Sequence, residues 1–429
     1  MRRVAFWLSL VLIFMIPWEN MITTGTTVTT GARIYGLLVA AFWVGTVVST
    51  GRFRKPHPLH VAAFLYVLWS GMTLFWTVDT RLTAMSLQTH FQLFGLSIII
   101  WDLFTTLEAF RTGLQAYVLG ACVAIGGIFA SYLAHPNNDG LRYAAVGFNE
   151  NHIGVIVALG IPVAWYLTLV EDRGAKRSRL RLLNYAFPPM AVMAILLTGS
   201  RAATIATVPA FLFIIWSINR LRIVQRALIF AALTSALLFL PALVPRPSLE
   251  RLASTRTSAG TIDLGSRVAV WRDVIGVFLE HPLLGAGSGA FRPASELGLS
   301  PHNSFLAPLA ELGIIGFGIF AITLVMAIHF AGQQPNSRVR LWLAVLLQWA
   351  VYSMTHDFLD SKQTWLFLSF VIVGSGLAAT SRVLFAPPVT RIRYLPQVMR
   401  LARDSPKPRA MSSGANSPLT VVHPYNQLD

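Results

Sequence analysis

Apolar runs about as long as a bilayer is thick recur along the whole of this chain. Hydrophobic residues make up 55% of the sequence and charged residues only 12%, a composition far from that of an ordinary soluble domain. A helix that crosses the hydrocarbon core of a bilayer needs about 20 predominantly apolar residues. Twelve runs approach this requirement, which predicts an all-α polytopic membrane protein. They lie near residues 4–22, 32–49, 59–76, 87–104, 113–134, 152–170, 185–200, 202–218, 227–244, 304–330, 339–355 and 364–380.

The basic residues indicate how these spans are oriented. A formal net charge of +16 would suggest a nucleic-acid partner for a soluble chain, but in a membrane chain Lys and Arg collect on the cytoplasmic side. With a cytoplasmic N-terminus, 23 of the 34 Lys and Arg residues lie on that side and 11 on the other. We therefore expect two cytoplasmic termini and no nucleic-acid partner. The basic tail, 381–429, is expected to be disordered or to contact lipid.

One segment outside the predicted spans is much longer than the others. Residues 245–303 separate the ninth and tenth spans and lie on the outer side in this topology. Long loops on a rigid scaffold often carry functional residues. The predicted organisation is therefore nine spans in 1–244, a loop with catalytic elements in 245–303, and three further spans in 304–380.

The outer loop contains a stretch with helical periodicity, "SRVAVWRDVIGVFLEH". Ser266 is able to cap this helix and Pro282 ends it. Arg267 and Trp271 are four residues apart, so they share one side of the helix. We expect an amphipathic helix that lies on the membrane surface or closes over a cavity. Its predicted apolar face consists of Val268, Trp271, Ile275 and Phe278.

Three glycines in "HPLLGAGSGAF" imitate part of a dinucleotide-binding fingerprint. They are Gly285, Gly287 and Gly289. The fingerprint requires a preceding strand, which is not predicted here, and the segment faces away from the cytoplasm. We therefore reject a nucleotide cofactor and expect a tight turn, whose backbone amides are able to bind an anion.

Arg201 stands in "LLTGSRAATIATV", where two apolar runs meet at the outer face. An arginine at the centre of a membrane helix costs about 2.5 to 3.5 kcal/mol, and less near the interface, so it is a functional-site candidate. Gly199 and Ser200 permit close approach, and a guanidinium binds phosphate oxygens through two parallel hydrogen bonds. The alternative is an arginine that extends into the lipid headgroups.

His302 and Asn303 precede the tenth predicted span in "SPHNSFLAPLAELGIIGF". Free amides and the positive end of the helix dipole are expected there. This environment favours a neutral imidazole, which is the form that a general base needs. Glu311 is not expected to orient His302, because nine helical residues place the two about 13 Å apart on opposite faces. The alternative is a histidine that only caps the helix.

Other polar residues at the outer ends of helices are weaker candidates. They are His152 in "NENHIG" and His356, Asp357 and Asp360 in "HDFLD". No pair of histidines and carboxylates has the spacing of zinc ligands, and there is no D-x-D element. We therefore expect neither a metal nor another cofactor.

Three strings, taken in order, resemble the O-antigen ligase and polymerase family of bacterial envelope glycosyltransferases. They are "TGSRAA" at 198–203, "SRVAVWRDVIGVFLEHPLLGAGSGAF" at 266–291 and "HNSFLAPLAELGIIG" at 302–316. The last string fits the ligase pattern of His, then Asn, Ser or Gln, nine residues, Gly, two residues, and Gly, Thr or Tyr. The resemblance favours a ligase and implies a GT-C-like membrane fold with a periplasmic catalytic loop.

The resemblance implies transfer of a glycan from undecaprenyl diphosphate to lipid A-core at the periplasmic face of the inner membrane. The implied reaction inverts the anomeric centre and uses no metal. Carried over residue by residue, the resemblance makes His302 the general base and Arg201 and Arg267 the clamp on the diphosphate. We expect the partners to be the lipid-linked donor, the lipid A-core acceptor and membrane lipids. Further substrate-binding candidates are Arg272, Arg292, Asn303 and Trp271.

Two other functions stay open at this point. A polymerase of the same family would extend an O-antigen or exopolysaccharide on its lipid carrier instead of ligating it. A transporter or flippase would use charged residues and broken helices along a pathway. No inverted repeat is apparent, and Asp102 and Glu311 are the chief acidic residues within the predicted spans.

Overall fold

The computed structural model describes residues 1–22, 30–135, 142–170, 179–220, 223, 226–227, 234 and 263–384, and every regular element in these ranges is helical. In chain order the α-helices are α1 (Arg2–Met15), α2 (Gly31–Thr50), α3 (Pro58–Met72), α4 (Thr80–Leu103), α5 (Leu107–Ala134), α6 (Glu150–Leu169), α7 (Arg179–Thr198), α8 (Arg201–Ala206), α9 (Val208–Ser217), α10 (Asp263–Glu280), α11 (Phe291–Ala294), α12 (Ala307–Gly332), α13 (Asn336–Ser353) and α14 (Lys362–Leu384). Short 3-10 helices continue α1, α3 and α9 over Ile16–Met21, Thr73–Phe75 and Ile218–Arg220.

Within the described ranges, eight helices are long and apolar enough to cross a membrane. They are α1, α2, α3, α5, α6, α7, α12 and α14, and each coincides with a predicted span. Helices α4 and α13 coincide with the fourth and eleventh predicted spans, whereas the eighth is divided into α8 and α9. The ninth span, 227–244, lies largely outside the described residues, as do 245–262 and the tail from 385. The all-α polytopic membrane fold is confirmed, while the number of twelve spans and the orientation stay predictions.

Helix α6 is the central helix of the bundle. In its most apolar stretch, 83% of the residues are buried inside the protein. The helix packs against α5, α7 and α13. The side chain of Asn149 accepts a hydrogen bond from the amide of Asn151 and so caps its start. This cap places His152 in the first turn of α6, at the end of the bundle where His302 also lies.

Helix α12 is interrupted where the sequence predicts one continuous span. Gly313 has φ 65° and ψ −171°, a conformation that breaks the helix and favours glycine. The amide of Ile314 donates to the carbonyl of Pro282, 2.9 Å away, so the glycine-rich turn packs into the break. A Cβ atom on Gly313 would lie 2.3 Å from the carbonyl oxygen of Leu283. The break therefore joins the long loop to the membrane bundle.

Helix α10 has the predicted periodicity, but a different face of it is buried. The residues that pack against the core are Val270, Val274 and Val277, in contact with Phe291 and Ala310. Two members of the predicted face, Val268 and Ile275, are 40% exposed. The helix also begins at Asp263, before the predicted cap at Ser266. Apolar residues form two stripes on this helix, and the partner surface decides which stripe is buried.

Asp102, which interrupts the fourth predicted span, lies at the end of α4 and holds three segments together. Its carboxylate is fully buried. It accepts hydrogen bonds from the Arg54 amide (2.7 Å) and from Trp43 Nε1 (2.9 Å). Arg2 lies 3.0 Å from the same carboxylate. Removal of one partner from such a buried network is costly, because the remaining charge and donors are left uncompensated.

We expect Asp102→Ala to lower the free energy of unfolding by about 3 to 5 kcal/mol, because the substitution leaves buried donors without their acceptor. Thermal unfolding of the purified protein in detergent would measure the effect. Glu108→Ala is the matched control, since Glu108 is an exposed carboxylate in the first turn of α5. Equal unfolding temperatures for the two variants would contradict the anchoring role of Asp102.

Candidate active site

Two loops that are far apart in sequence meet at His302. The amide of Ser304 donates to the carbonyl of Ser353 at 2.8 Å. The Ser304 hydroxyl donates to the carbonyl of His356 at 2.9 Å and accepts from the amide of Phe358 at 2.8 Å. These bonds place the segment that carries His302 against the loop between α13 and α14.

Asp357 is the carboxylate that faces His302. It accepts hydrogen bonds from the amides of His302 (3.2 Å) and Asn303 (3.1 Å). Its Oδ2 lies 3.7 Å from His302 Nδ1, within reach of an ion pair. Burial raises the pKa of Asp357, and the nearby His302 acts in the opposite direction. Glu311 was not expected to orient His302, and the carboxylate that faces His302 comes from the segment "HDFLD", whose residues were predicted only as separate, weaker candidates.

The expected position of His302 at an open helix end is wrong. Helix α12 begins only at Ala307, and Asn303 Oδ1 accepts hydrogen bonds from the amides of Phe305 (2.9 Å) and Leu306 (3.1 Å). The amides that were expected to be free near the imidazole are therefore engaged. The side-chain oxygen of Asn303 acts as a cap, and its substrate-binding role stays a prediction.

The backbone at His302 is unusual. Its φ is 48°, in the left-handed region that non-glycine residues seldom occupy. The two hydrogen bonds from the amides of His302 and Asn303 to Asp357 hold this conformation. The imidazole is 51% exposed, which is compatible with access to a substrate.

His356 lies within electrostatic range of two arginines and two other histidines. Its ring stacks on Tyr352, with ring centres 4.3 Å apart. Burial, assisted by four nearby side chains, lowers the pKa of His356 to about 3, so this ring is neutral at physiological pH. The four neighbours are Arg267, His302, His152 and Arg142. The predicted residues Arg267 and His302 therefore both lie within electrostatic range of His356.

Arg142 is an arginine of this group that sequence analysis missed. Its Nε donates to the Thr198 carbonyl (2.8 Å), and its Nη2 donates to Asn151 Oδ1 (2.5 Å). Glu150 lies 3.4 Å away. Thr198 ends α7, and Arg201 begins α8 after the cap at Ser200. Arg142 therefore binds the backbone of the "TGSR" segment. Its position just before a predicted span was the available signal.

The remaining substrate-binding candidates lie in different surroundings. Arg292 Nε donates to the carbonyl of Gly298 (3.3 Å), and Arg292 lines the cavity described below. Arg272 is exposed on α10. The indole Nε1 of Trp271 is buried and has no hydrogen-bond partner in the described part of the chain. The structure gives Arg272 and Trp271 no contact with His302, so their roles stay predictions.

The glycine-rich turn is present as predicted, but its amides do not form an anion site. Gly285, Gly287 and Gly289 all have positive φ. A Cβ atom on Gly285 would lie 2.3 Å from the backbone of Glu311. The amide of Gly287 donates to the Glu311 carbonyl and that of Gly289 to the Glu311 carboxylate, at 2.9 and 2.8 Å. These amides pack the turn against α12 and are not available to an anion.

A cavity of about 910 Å³ opens beside Asp357. Apolar residues of α1, α2 and α4 line it, with Leu12, Leu37 and Leu96 among them. Charged, amide and hydroxyl side chains also line it, and this set of polar lining residues is named here the polar end. The polar end includes Glu19, Asn20, Arg33, Gln92, Arg292, Glu311, Asp357, Asp360 and Lys362. No group of three His, Cys, Asp or Glu residues suited to a metal is found in the described ranges.

Comparison with known proteins places this site in context. Residues 190–321 match the family model described as O-antigen ligase. That match contains Arg201, Arg267 and His302. A curated relative is the exopolysaccharide production protein ExoQ of Rhizobium meliloti (strain 1021). The two sequences are 23% identical over 319 residues, which is 66% of this chain and 69% of the relative.

Proposed function

Because this multi-pass membrane protein belongs to the O-antigen ligase and polymerase family, we propose that it transfers a glycan from undecaprenyl diphosphate to lipid A-core. The observation that carries the proposal is the contact of Asp357 with His302 beside a cavity, with Arg267 within electrostatic range of the neighbouring His356. The reaction takes place at the periplasmic face of the inner membrane.

His302 acts as the general base. Its imidazole takes the proton of the acceptor hydroxyl as the hydroxyl oxygen attacks the anomeric carbon of the donor. Asp357, 3.7 Å from Nδ1, stabilises the imidazolium that forms and holds the ring in place. The bond between the anomeric carbon and the diphosphate oxygen breaks at the same time. Direct displacement of this kind inverts the anomeric centre.

The arginines stabilise the diphosphate that leaves. Charge develops on its oxygens as the glycosidic bond breaks, and fixed guanidinium groups away from bulk water stabilise that charge strongly. Arg267 lies near His356, and Arg201 follows the segment that Arg142 binds. The neutral His356 adds no charge of its own. Binding of the diphosphate by side chains removes the need for a metal in this mechanism.

A polymerase is the second candidate, and the similarity to ExoQ favours it. That relative is an exopolysaccharide production protein. The same base and the same arginines would serve a polymerase, because only the acceptor differs. A hydroxyl at the end of another lipid-linked glycan would replace the hydroxyl of lipid A-core.

We expect purified protein in lipid nanodiscs to transfer glycan from undecaprenyl diphosphate to lipid A-core in the presence of EDTA. Gel analysis of the labelled glycan would detect the product. Longer glycans on the carrier without labelled lipid A-core would identify the polymerase. No transfer to either acceptor, with movement of the lipid-linked glycan across the membrane, would support a transporter instead.

A further inference from the structure

Asp360 is a carboxylate of the site region that the mechanism above does not use. It lies in the loop between α13 and α14, three residues after Asp357, and both residues line the cavity. The side chain of Asp360 is 51% exposed, and Asp360 lines the cavity. An acidic side chain in this position is directed at whatever occupies the polar end.

His90 holds Asp360 in place from within the bundle. The imidazole lies in α4 and is only 2% exposed, and its Nε2 is 2.9 Å from Asp360 Oδ1. The ring also packs edge-on against Tyr66, with ring centres 5.3 Å apart. Tyr66 itself lines the cavity. A rigid helix and an aromatic contact thus fix the direction of one carboxylate oxygen.

Asp360 is ionised at physiological pH. Desolvation by the surrounding protein alone would raise the pKa of this carboxyl, but the electrostatic interaction and hydrogen bond with His90 outweigh it and lower the pKa. An ionised carboxylate only accepts hydrogen bonds. Since Oδ1 faces His90, Oδ2 is available to a ligand.

Four carboxylates and three cationic side chains, among them Arg33 and Arg292, line the polar end, so its charges nearly balance and favour a neutral ligand with hydroxyl groups. Lys362 forms an ion pair with Glu19, so its charge is already compensated. The carboxylates of Asp357 and Asp360 lie within electrostatic range of each other, which disfavours a phosphate beside them. The side-chain amides of Asn20 and Gln92 also line this end and supply both donors and acceptors. Carboxylates and amides that face a cavity suit the hydroxyl groups of a sugar.

We propose that Asp360, positioned by His90, binds a hydroxyl group of the acceptor sugar. This inference rests on the proposed function, because the base at His302 takes its proton from the acceptor. The acceptor is assigned to the cavity because Asp357, the carboxylate beside the base, lines it. The donor diphosphate is assigned to the arginines around His356. The assignment applies to a ligase and to a polymerase, since both acceptors are sugars.

The test is a binding measurement that requires no transfer. Two soluble probes are used: the oligosaccharide of deacylated lipid A-core and the repeat oligosaccharide of the host's surface polysaccharide. Saturation-transfer NMR with full-length protein in nanodiscs gives the dissociation constant. We expect Asp360→Asn to weaken binding of one probe about 10- to 100-fold, because a hydrogen bond to a charged group is lost. The matched control is Glu296→Gln, since Glu296 is exposed in the loop after α11.

His90 is tested as a positioning residue through two substitutions. His90→Leu removes the donor to Asp360, so probe binding is expected to weaken, whereas His90→Gln retains a donor and is expected to restore much of it. In transfer assays the same variants should raise the KM for the acceptor and leave that for the donor unchanged. A misfolded variant would lose the binding of the acceptor and of the donor alike, and substitution by Gln would not restore them.

The outcomes separate this inference from the proposed function. If neither probe binds the parental protein, or if Asp360→Asn binds the probe as the parental protein does, the acceptor subsite is wrong. Transfer by the parental protein would then still support the proposed function. If the probe binds through Asp360 but no acceptor is ever glycosylated, the sugar site stands and the transfer function fails.

Discussion

Replacement of His302 by alanine is expected to lower the rate of glycan transfer about 100- to 10,000-fold, the usual contribution of a general base. The hydroxyl of the acceptor substrate would then have to lose its proton without a base at the site. Initial rates with purified protein, matched for amount and for unfolding temperature, would measure the loss. A variant that transfers glycan at the parental rate would rule out His302 as the base.

The backbone at His302 calls for a second variant. Its φ of 48° is tolerated by asparagine better than by alanine, so His302→Asn removes the base with less strain. We expect the same loss in both variants. If His302→Ala is inactive and His302→Asn is active, the loss came from the backbone and the base assignment is wrong. The hydrogen bonds from the backbone amides of residues 302 and 303 to Asp357 are expected to be retained in either variant.

Replacement of Arg267 by lysine is expected to lower kcat/KM for the lipid-linked donor about 100- to 1,000-fold. The substitution removes one of the two donors of the guanidinium fork, and loss of one donor to a developing negative charge typically has an effect of this size. Lysine retains the charge but loses the planar fork that binds two phosphate oxygens at once. Arg267 is suited to this role because it lies within electrostatic range of His356. His356 lies in the same loop as Asp357, the carboxylate that faces His302.

The matched control for Arg267→Lys is Arg179→Lys. Arg179 begins α7 and is exposed, whereas the site segment "TGSR" follows the other end of that helix. It therefore tests whether any loss of arginine in this membrane protein lowers the rate. Parental kinetics for both variants would remove Arg267 from the diphosphate site, and equal losses in both would show that the effect is not specific.

The structure explains the spacing of the ligase pattern in "HNSFLAPLAELGIIG" at 302–316. Asn303 caps the turn after His302. Gly313 breaks α12 where the glycine-rich turn packs. A Cβ on Gly316 would lie 2.8 Å from the ring of Trp69. The spacing of the pattern thus reflects one histidine held at a fixed distance from a break in a membrane helix.

The sequence by itself determined the features that depend on local composition. Apolar runs of bilayer length predict membrane helices because buried backbone groups must be hydrogen-bonded within each helix. The all-α membrane fold follows from this, and the glycine spacing predicts a tight turn. Arg201 and His302 were candidates because a polar residue beside a membrane helix is costly, and the resemblance to the family suggested their roles.

Only the tertiary structure decided which distant residues meet. Asp357 faces His302 across 55 positions of sequence, and Asp360 meets His90 across 270. Helix α10 carries two apolar stripes, and its partner surface selected Val270, Val274 and Val277. Such pairings depend on how helices pack over long distances. Periodicity within one helix carries no information about the neighbour that will cover it.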